Sequence, residues 1–252
     1  MRSRFSGFVP LLVVTLTFAG CGDDLTTEAS TPQQGPTSPQ GPQATPPNVA
    51  PIAVAGPDQT AECGSFDGSA VSLTSAGSSD SDGQITLYEW FENGQLIATG
   101  SAPTITLPLG THTIILRTTD NNGGTNDDVV VVTVRDTTAP TVVVSMARTS
   151  LWPPNHKMHV VSRISATDVC DPAPAIAITV TSDEPVNWLG DGNTEPDWTV
   201  AQTGASMFDV SVRAERSGLG DGRVYSISAV ATDGAGNPST PASGTVTVPH
   251  NQ

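Results

Sequence analysis

The sequence is poor in cations, in aromatic residues and in cysteine. It has 10 Lys and Arg against 25 Asp and Glu, which gives a formal net charge of -15. Proteins that bind nucleic acid contact the phosphate backbone mainly through Lys and Arg, so this balance excludes that class of partner. Few aromatic residues, with 24 Gly and 21 Pro, are typical of an all-β chain with many turns. The acidity also suits a protein that holds Ca²⁺.

Sequence motifs of the common enzyme classes are also missing. The chain lacks Gly-x-Ser-x-Gly, His-Glu-x-x-His, a phosphate-binding loop and a Gly-rich dinucleotide motif. The acid pairs Asp183-Glu184 and Glu195 with Asp197 have the residue types of a glycosidase. In a chain with this many acids such pairs arise by chance, so we expect no enzymatic activity.

The N-terminus has the layout of a secretory signal. Arg2 and Arg4 precede an apolar run over residues 8–18, which is too short for a comfortable membrane span. Small residues follow this run and lead directly to a cysteine. We therefore assign residues 1–20 to a signal peptide.

The ending Phe18-Ala19-Gly20-Cys21 resembles the bacterial lipobox. The resemblance implies cleavage before Cys21, diacylglycerol on its thiol and a third acyl chain on its amino group, and several acyl chains anchor a protein stably. The alternative is an ordinary signal peptide with a nearby cysteine. Gly22 stands where an Asp retains many lipoproteins in the inner membrane. We expect an exported protein, lipid-anchored in the cell envelope at the outer membrane.

Residues 21–50 are a low-complexity segment rich in Pro, Gln, Thr and Ser. Such a composition has almost nothing to bury and favours extended chain. We predict a disordered tether that lifts folded modules off the membrane.

Short β-prone runs separated by turn signals begin after the tether. Asn93-Gly94 between two such runs is a strong hairpin signal. Seven short strands at regular spacing predict an immunoglobulin-like β-sandwich over residues 51–136. The predicted strands are Ile52–Ala55, Ala70–Thr74, Ile85–Glu92, Gln95–Thr99, Thr104–Leu107, Thr111–Thr119 and Asp128–Arg135.

Residues 51–136 also resemble the PKD domain family. The resemblance lies in Ala55–Gln59, Gly77–Gly83, Leu107–Thr113 and Asp120–Gly123, in that order. It implies an extracellular Ig-like module. The side chain of Trp90, in the middle of the third predicted strand, is expected to fill the sandwich centre rather than to form part of an aromatic binding box.

A second sandwich is predicted over residues 137–249. Asp136–Pro140 resembles the linker that opens many bacterial Ig-like and hyalin-repeat modules, and Ala231–Asn237 resembles their closing hairpin. The whole chain is thus expected to be all-β, with two tandem Ig-like sandwiches after a disordered tether. The predicted strands are Val142–Met146, His159–Thr167, Ala175–Thr181, Met207–Glu215, Val224–Asp233 and Gly244–Val248.

Two cysteines remain if Cys21 carries lipid. An oxidising compartment permits a disulfide between Cys63 and Cys170, which fall in different predicted sandwiches. Two buried free thiols are the alternative. PKD modules with a cysteine at the position of Cys63 often have a partner just past the module, and Val142–Met146 contains none.

Two groups of acids are candidate Ca²⁺ ligands, since Ca²⁺ prefers hard oxygen ligands. Asp80, Asp82 and Asp120 belong to loops of the first module, and some PKD modules bind Ca²⁺. The alternative is an ordinary turn whose carboxylates accept backbone N–H bonds. The second group, at the junction or one end of the second module, is Asp136, Asp168, Asp171 and Asp233.

Charged residues also gather around a Gly-rich hairpin of the second module. They are Arg213, Glu215, Arg216, Asp221 and Arg223. A clamp for a carboxylate or sugar is one interpretation, and a structural ion network is the one we favour. His156 and His159 lack the paired cysteines of a zinc finger, so we expect a Pro-rich turn there, with Trp152 packed on the sandwich.

The predicted function is that of a surface-anchored, non-catalytic protein whose Ig-like modules bind a protein or polysaccharide, support adhesion or act as a spacer. A structural accessory lipoprotein of an envelope complex is the alternative, and an extracellular hydrolase is a third hypothesis. The membrane is reached through the lipid anchor. The sequence leaves the oligomeric state open.

Overall fold

The computed structural model describes residues 45–186, 194–218 and 220–251. Residues 47–252 form one compact unit. The predicted signal peptide, Cys21 and most of the predicted tether lie outside the described residues. Within the described ranges every regular element is a β-strand, and none is a helix that would cross a membrane.

The first seven strands form one β-sandwich, called here the first sandwich. Its larger sheet has the order β1-β7-β6-β3-β4, and β2 pairs with β5 in the smaller one. The β1–β7 pair is parallel and the other pairs are antiparallel. The strands are β1 (Gln59–Glu62), β2 (Ser69–Ser72), β3 (Ile85–Glu92), β4 (Gln95–Thr99), β5 (Thr104–Leu107), β6 (Gly110–Asp120) and β7 (Thr125–Arg135).

Apolar side chains between the two sheets form the core of the first sandwich. Alternate residues of β6 are buried, as expected for a strand with one face toward the core. Trp90 is fully buried at the centre, and its indole N–H donates to the carbonyl of Gly100 at 2.9 Å. The prediction that Trp90 fills the core is confirmed.

The remaining seven strands form the second sandwich. One sheet has the order β11-β12-β9-β8 and the other the order β10-β13-β14. All pairs within these sheets are antiparallel. The strands are β8 (Thr141–Met146), β9 (Met158–Thr167), β10 (Ala175–Ser182), β11 (Trp198–Gly204), β12 (Met207–Arg213), β13 (Gly222–Thr232) and β14 (Ala242–Pro249). The all-β sandwich fold is as predicted.

The first predicted strand is wrong. Residues 52–55 make only an isolated bridge from Ile52 to Ser79, and β1 lies further along the chain. A side chain of β7 takes the place of a backbone strand partner here, because the amide of Ala55 donates to Asp128 Oδ2 at 2.7 Å. Gly56, with φ of 80°, then turns the chain away from a regular strand.

The sequence pattern does not predict strand β11. It is an edge strand, paired only with β12, and nearly all of its residues are exposed. An exposed edge has no buried face and so leaves no alternation of apolar and polar residues to recognise.

A disulfide connects the two sandwiches. It joins Cys63, which follows β1, to Cys170, in the loop after β9, with a Cα–Cα distance of 6.1 Å. Although it belongs to the second half of the chain, Cys170 packs within the apolar core of the first sandwich. The junction is therefore closed by a covalent bond between residues 107 positions apart.

Candidate functional site

A buried group of charged side chains occupies one end of the second sandwich, and we call it the buried ion cluster. Its centre is Arg223, on β13, whose guanidinium has no exposed surface. Nη1 donates to Asp197 Oδ2 at 2.7 Å, and Nε donates to Glu184 Oε2 at 3.1 Å. Burial lowers the pKa of Arg223, but Tyr225, Glu184 and Asp197 more than offset it and hold the pKa above its ordinary value.

Two carboxyl groups of this cluster face each other. Glu215, just after β12, and Asp197, just before β11, both have fully buried side chains. One oxygen of each, Glu215 Oε1 and Asp197 Oδ1, is buried with no donor N–H or O–H bonded to it. Burial first, and then the hydrogen bond with Asp197, raise the pKa of Glu215 to about 7. The carboxyl group of Glu215 is therefore protonated below neutral pH.

Arg213 and Tyr225 close the cluster from the strand side. Arg213 donates from Nη2 to the carbonyl of Pro196 at 2.9 Å and from Nη1 to that of His156 at 2.8 Å. The hydroxyl of Tyr225 donates to the carbonyl of Arg213 and accepts from Arg223, both at 3.1 Å. Burial raises the pKa of Tyr225 to about 12, so the phenol stays neutral.

The cluster ties loops together through their backbones. Glu184 Oε2 also accepts the amide N–H of Ser217 at 2.7 Å, and Arg223 Nη2 donates to the carbonyl of Pro185 at 3.1 Å. These contacts join the segment after β10 to the segment before β13. Because the charged side chains are buried, this arrangement fits a structural ion network better than a clamp for a soluble carboxylate or sugar.

The sequence-predicted members of the cluster have different positions. Arg213, Glu215 and Arg223 come together, with Arg213 Nε 3.8 Å and Arg223 Nη1 3.7 Å from carboxylate oxygens of Glu215. Arg216 instead donates to the carbonyls of Ser217 and His250 at 3.0 and 3.1 Å. The side chain of Arg216 therefore binds backbone carbonyl groups and takes no part in the described ion pairs.

Asp197 and Glu184 were not recognised as partners of Arg223. They precede it by 26 and 39 residues, so no local spacing indicates the contact. In the sequence, Asp197 and Glu184 stand out only as members of the acid pairs Glu195 with Asp197 and Asp183-Glu184. In the structure their carboxylates are bonded to Arg223, so neither pair has the two free carboxyl groups that glycoside hydrolysis requires.

A groove of about 280 Å³ adjoins the cluster. It is lined by Val186, Glu195, Pro196, Asp197 and Trp198. A larger groove, of about 450 Å³, lies on the face of β8, β9 and β12 away from the core, and the ion pair of Arg163 Nε with Asp209 Oδ1, at 2.9 Å, forms part of its lining. Neither groove gathers two free carboxyl groups in its described lining.

The loop acids of the first sandwich do not converge on one point. Among the described residues, no three carboxylates there lie within 4.8 Å of one another. Asp120 Oδ1 accepts the amides of Asn122 and Gly124 at 2.7 and 2.8 Å, and Asp82 Oδ2 accepts that of Val49 at 3.1 Å. Asp80 Oδ2 is buried without a donor. Asp120 thus holds its own turn and also accepts from Asn48 Nδ2, while Asp82 holds the segment that precedes the first sandwich.

The acids predicted near the junction come partly together. Ligand atoms of Asp136, Asp168 and Cys170 lie within 4.8 Å of one another, but Cys170 is disulfide-bonded. Burial, and then the charges of Asp168, Asp233 and Glu62, raise the pKa of Asp136. The described ion pairs bring no cation to these carboxylates.

Asp171 and Asp233 are used by loops at the same end. Asp171 Oδ2 accepts the amide of Gly234 at 2.8 Å, which joins the loop after β9 to the hairpin after β13. Asp233 accepts from the amide and the side chain of Asn237 at 2.8 and 2.9 Å. Neither joins the group formed by Asp136 and Asp168.

The histidine-containing turn differs from its prediction in one respect. His156 Nδ1 lies 3.3 Å from Glu215 Oε2, while His159 Nε2 lies 3.4 Å from Asn155 Oδ1, so the two imidazoles have separate partners. Trp152 was expected to pack on the sandwich, yet it is 44% exposed. The peptide bond between Trp152 and Pro153 is cis.

Comparison with known proteins identifies one family. Residues 48–134 match the family model described as the PKD domain. The search of curated proteins found no match. The PKD1 domain of Vibrio anguillarum Epp is 31% identical, with 35% of this chain and 100% of that chain covered and a TM-score of 0.28.

Two further solved structures cover most of this chain. The fibronectin(III)-like modules of Clostridium thermocellum CbhA are 16% identical over 79% of this chain and 94% of that chain, with a TM-score of 0.28. Carbohydrate-binding modules from the β-sandwich superfamily are 16% identical over 74% of this chain and 59% of that chain, with a TM-score of 0.32. These likenesses carry no functional argument. Residues 48–134 of this chain form a PKD domain.

Proposed function

We propose that this protein is an exported, lipid-anchored envelope protein that performs no catalysis and uses its tandem sandwiches to bind a partner or to act as a spacer. The observation that carries the proposal is the order of its parts: a lipobox-like Cys21, a Pro-rich segment and then a PKD domain. A tether between an anchor and folded modules displays those modules away from a membrane. The buried ion cluster, whose acids are already paired, supports the non-catalytic assignment.

Cys21 provides the first test. The full chain is expressed in a Gram-negative host with an alkyne-bearing fatty acid, and the membranes are separated on a density gradient. We expect label on the wild type in the outer-membrane fraction and none on Cys21→Ser. The matched control, Cys63→Ser, should keep the label. Unlabelled wild-type protein in the soluble fraction would contradict the anchor.

The choice between binding and spacing requires a ligand search. A protein consisting of residues 47–252 is tested for binding to glycan arrays and for capture of proteins from solubilised envelope extracts. Saturable capture of a glycan or an envelope protein supports the binding role, and capture of one stoichiometric envelope complex supports the accessory role. Turnover in a panel of hydrolase substrates would overturn the non-catalytic proposal.

Calcium is the second element of the proposal. The carboxylates of Asp136 and Asp168 at the junction support a Ca²⁺ site. They lie close together, and none of the described ion pairs gives them a Lys or Arg partner. Ca²⁺ binds clusters of carboxylate oxygens and would remove their mutual repulsion. Titration calorimetry should show heat that Asp136→Asn abolishes and Asp80→Asn leaves unchanged. No heat and no melting shift with the wild type would contradict the proposal.

A further inference from the structure

The disulfide lies where the chain passes from one sandwich to the other. The amide of Cys63 donates to the carbonyl of Arg135 at 2.9 Å, which places the cysteine beside the last residue of β7. The connection to β8 begins directly after that residue. Asp168 Oδ1 accepts the amides of Cys170 and Asp171 at 2.8 and 2.9 Å and so holds the loop that carries the second cysteine.

The described hydrogen bonds across this junction are few and mostly exposed. Glu62 Oε1 accepts the amide of Thr137 at 2.7 Å and the hydroxyl of Thr138 at 3.1 Å, both at the surface. Asn237 Nδ2 donates to the carbonyl of Asp136 at 3.1 Å. Water competes for exposed hydrogen bonds, so these contacts resist a change of angle only weakly.

Electrostatics at the junction act against close contact. Carboxylate oxygens of Asp136 and Asp168 lie within 4.8 Å of each other, and the charges of Asp168, Asp233 and Glu62 add to burial in raising the pKa of Asp136. Like charges in partly buried surroundings repel each other more strongly than in water. The covalent bond therefore holds together surfaces that their charges tend to separate.

We propose that the Cys63–Cys170 disulfide is a redox-controlled strut that holds the two sandwiches at a fixed angle, and that its reduction converts residues 136–140 into a hinge. A dithiol reductant supplies two electrons and two protons, is itself oxidised to a disulfide, and leaves a thiol on each cysteine. Apart from Cys170, each apolar core is built from residues of its own sandwich, so reduction changes the relative orientation of the sandwiches and not their folds. The inference goes beyond the proposed function because it does not depend on any ligand.

The test measures the distance between the sandwiches in both redox states. Spin labels are attached through non-natural residues at Thr99 and Thr203, which are exposed and lie on different sandwiches, so the cysteines stay intact. The full chain is purified in detergent with EDTA, which excludes divalent cations. We expect one narrow distance distribution when oxidised and a distribution about twofold broader or more after reduction, since domains without a large interface move relative to each other.

Variants separate the strut from other effects of the reductant. Cys63→Ser with Cys170→Ser should give the broad distribution in both conditions, whereas Cys21→Ser should respond as the wild type does. Near-UV circular dichroism confirms that both sandwiches remain folded, and reversible reduction of the wild type serves if the double variant does not fold. A distribution that stays narrow after both thiols are shown to be free overturns the inference. That result would leave the anchor and ligand experiments unaffected.

Discussion

The two sandwiches fill their interiors with different chemistry. The first places Trp90 among aliphatic side chains and satisfies the indole N–H with a single backbone carbonyl. The second has an aliphatic core as well, but closes one end with Arg223, Asp197, Glu215 and Tyr225, all buried. The same type of sandwich thus has a buried tryptophan at the centre of one domain and a buried ion cluster at one end of the other.

The difference matters because the two kinds of interior respond differently to change. Apolar packing is non-directional and independent of pH, and its loss scales with the volume removed. A buried ion cluster is stable only when every charge has a partner, because an uncompensated buried charge is costly. The second sandwich should therefore be more sensitive to charge and pH, and the first to volume.

Removal of the central cation should have the largest effect. Arg223→Met leaves the buried Asp197 and the partly buried Glu184 without their guanidinium partner. We expect the second sandwich to lose about 4 kcal/mol of unfolding free energy, the cost typical of a broken buried ion pair. Denaturant unfolding followed by circular dichroism measures it. Arg148→Met, at an exposed position, is the control, and equal stability of the two variants would refute the role of the cluster.

Replacing the buried Trp90 should lower the free energy of unfolding by a smaller amount. Trp90→Phe leaves a cavity and removes the hydrogen bond to Gly100. The expected loss is about 2 kcal/mol in the first sandwich, with no dependence on pH. Tryptophan fluorescence during unfolding provides the measurement. Trp152→Phe, at a half-exposed site, should change little. A comparable loss in both variants would mean that Trp90 is not the centre of the core.

Stability of the second sandwich should fall as the pH rises. Folding raises the pKa of Glu215 from 4.5 to about 7, so the folded state holds this proton more tightly than the unfolded chain does. The stabilisation is complete below the unfolded pKa and disappears as the pH passes through the folded one. Urea unfolding at several pH values across this window should show a decline in the wild type and a flatter profile in Glu215→Gln. A wild-type profile as flat as that of the variant would argue against the raised pKa of Glu215.

The exposed ion pair of the first sandwich should matter least. Arg117 and Asp127 meet across β6 and β7 at 2.7 Å, with both side chains nearly half exposed. Solvent screens such pairs, so Arg117→Ala should produce a change close to the resolution of an unfolding measurement. High salt should abolish this small difference in unfolding free energy between Arg117→Ala and the wild type. A loss of unfolding free energy as large as that of Trp90→Phe would show that the exposure of this ion pair does not predict its contribution to stability.

Sequence reasoning predicted the strands where an apolar face alternates with a polar one. β3, β4 and β5 have the predicted limits, and β6 and β7 contain the predicted cores. The predicted strand Ile52–Ala55 is absent, since a hydrogen bond to the side chain of Asp128 takes the place of strand pairing there. Strands β1 and β11 were not predicted, and β11 lies exposed at an edge. Period-two patterns report burial on one face, so strands without such a face leave no pattern.

The buried ion cluster was predictable only in part. Arg213 and Glu215 are two residues apart, and Arg223 lies on the next strand, so sequence proximity indicated a charged group. Asp197 and Glu184 come from distant segments, and nothing in their local sequence distinguishes them from the many exposed acids. Their roles depend on which loops the two sheets bring to the same end.

The sequence by itself determined the all-β class, the PKD domain and the burial of Trp90, because strand alternation and family motifs are local properties. The tertiary structure decided that Cys63 meets Cys170, that Asp136 lies near Asp168, and that Asp197 pairs with Arg223. Each of these contacts joins residues that are far apart in the chain. The packing of sheets fixes such distances, and residue spacing along one chain does not encode them.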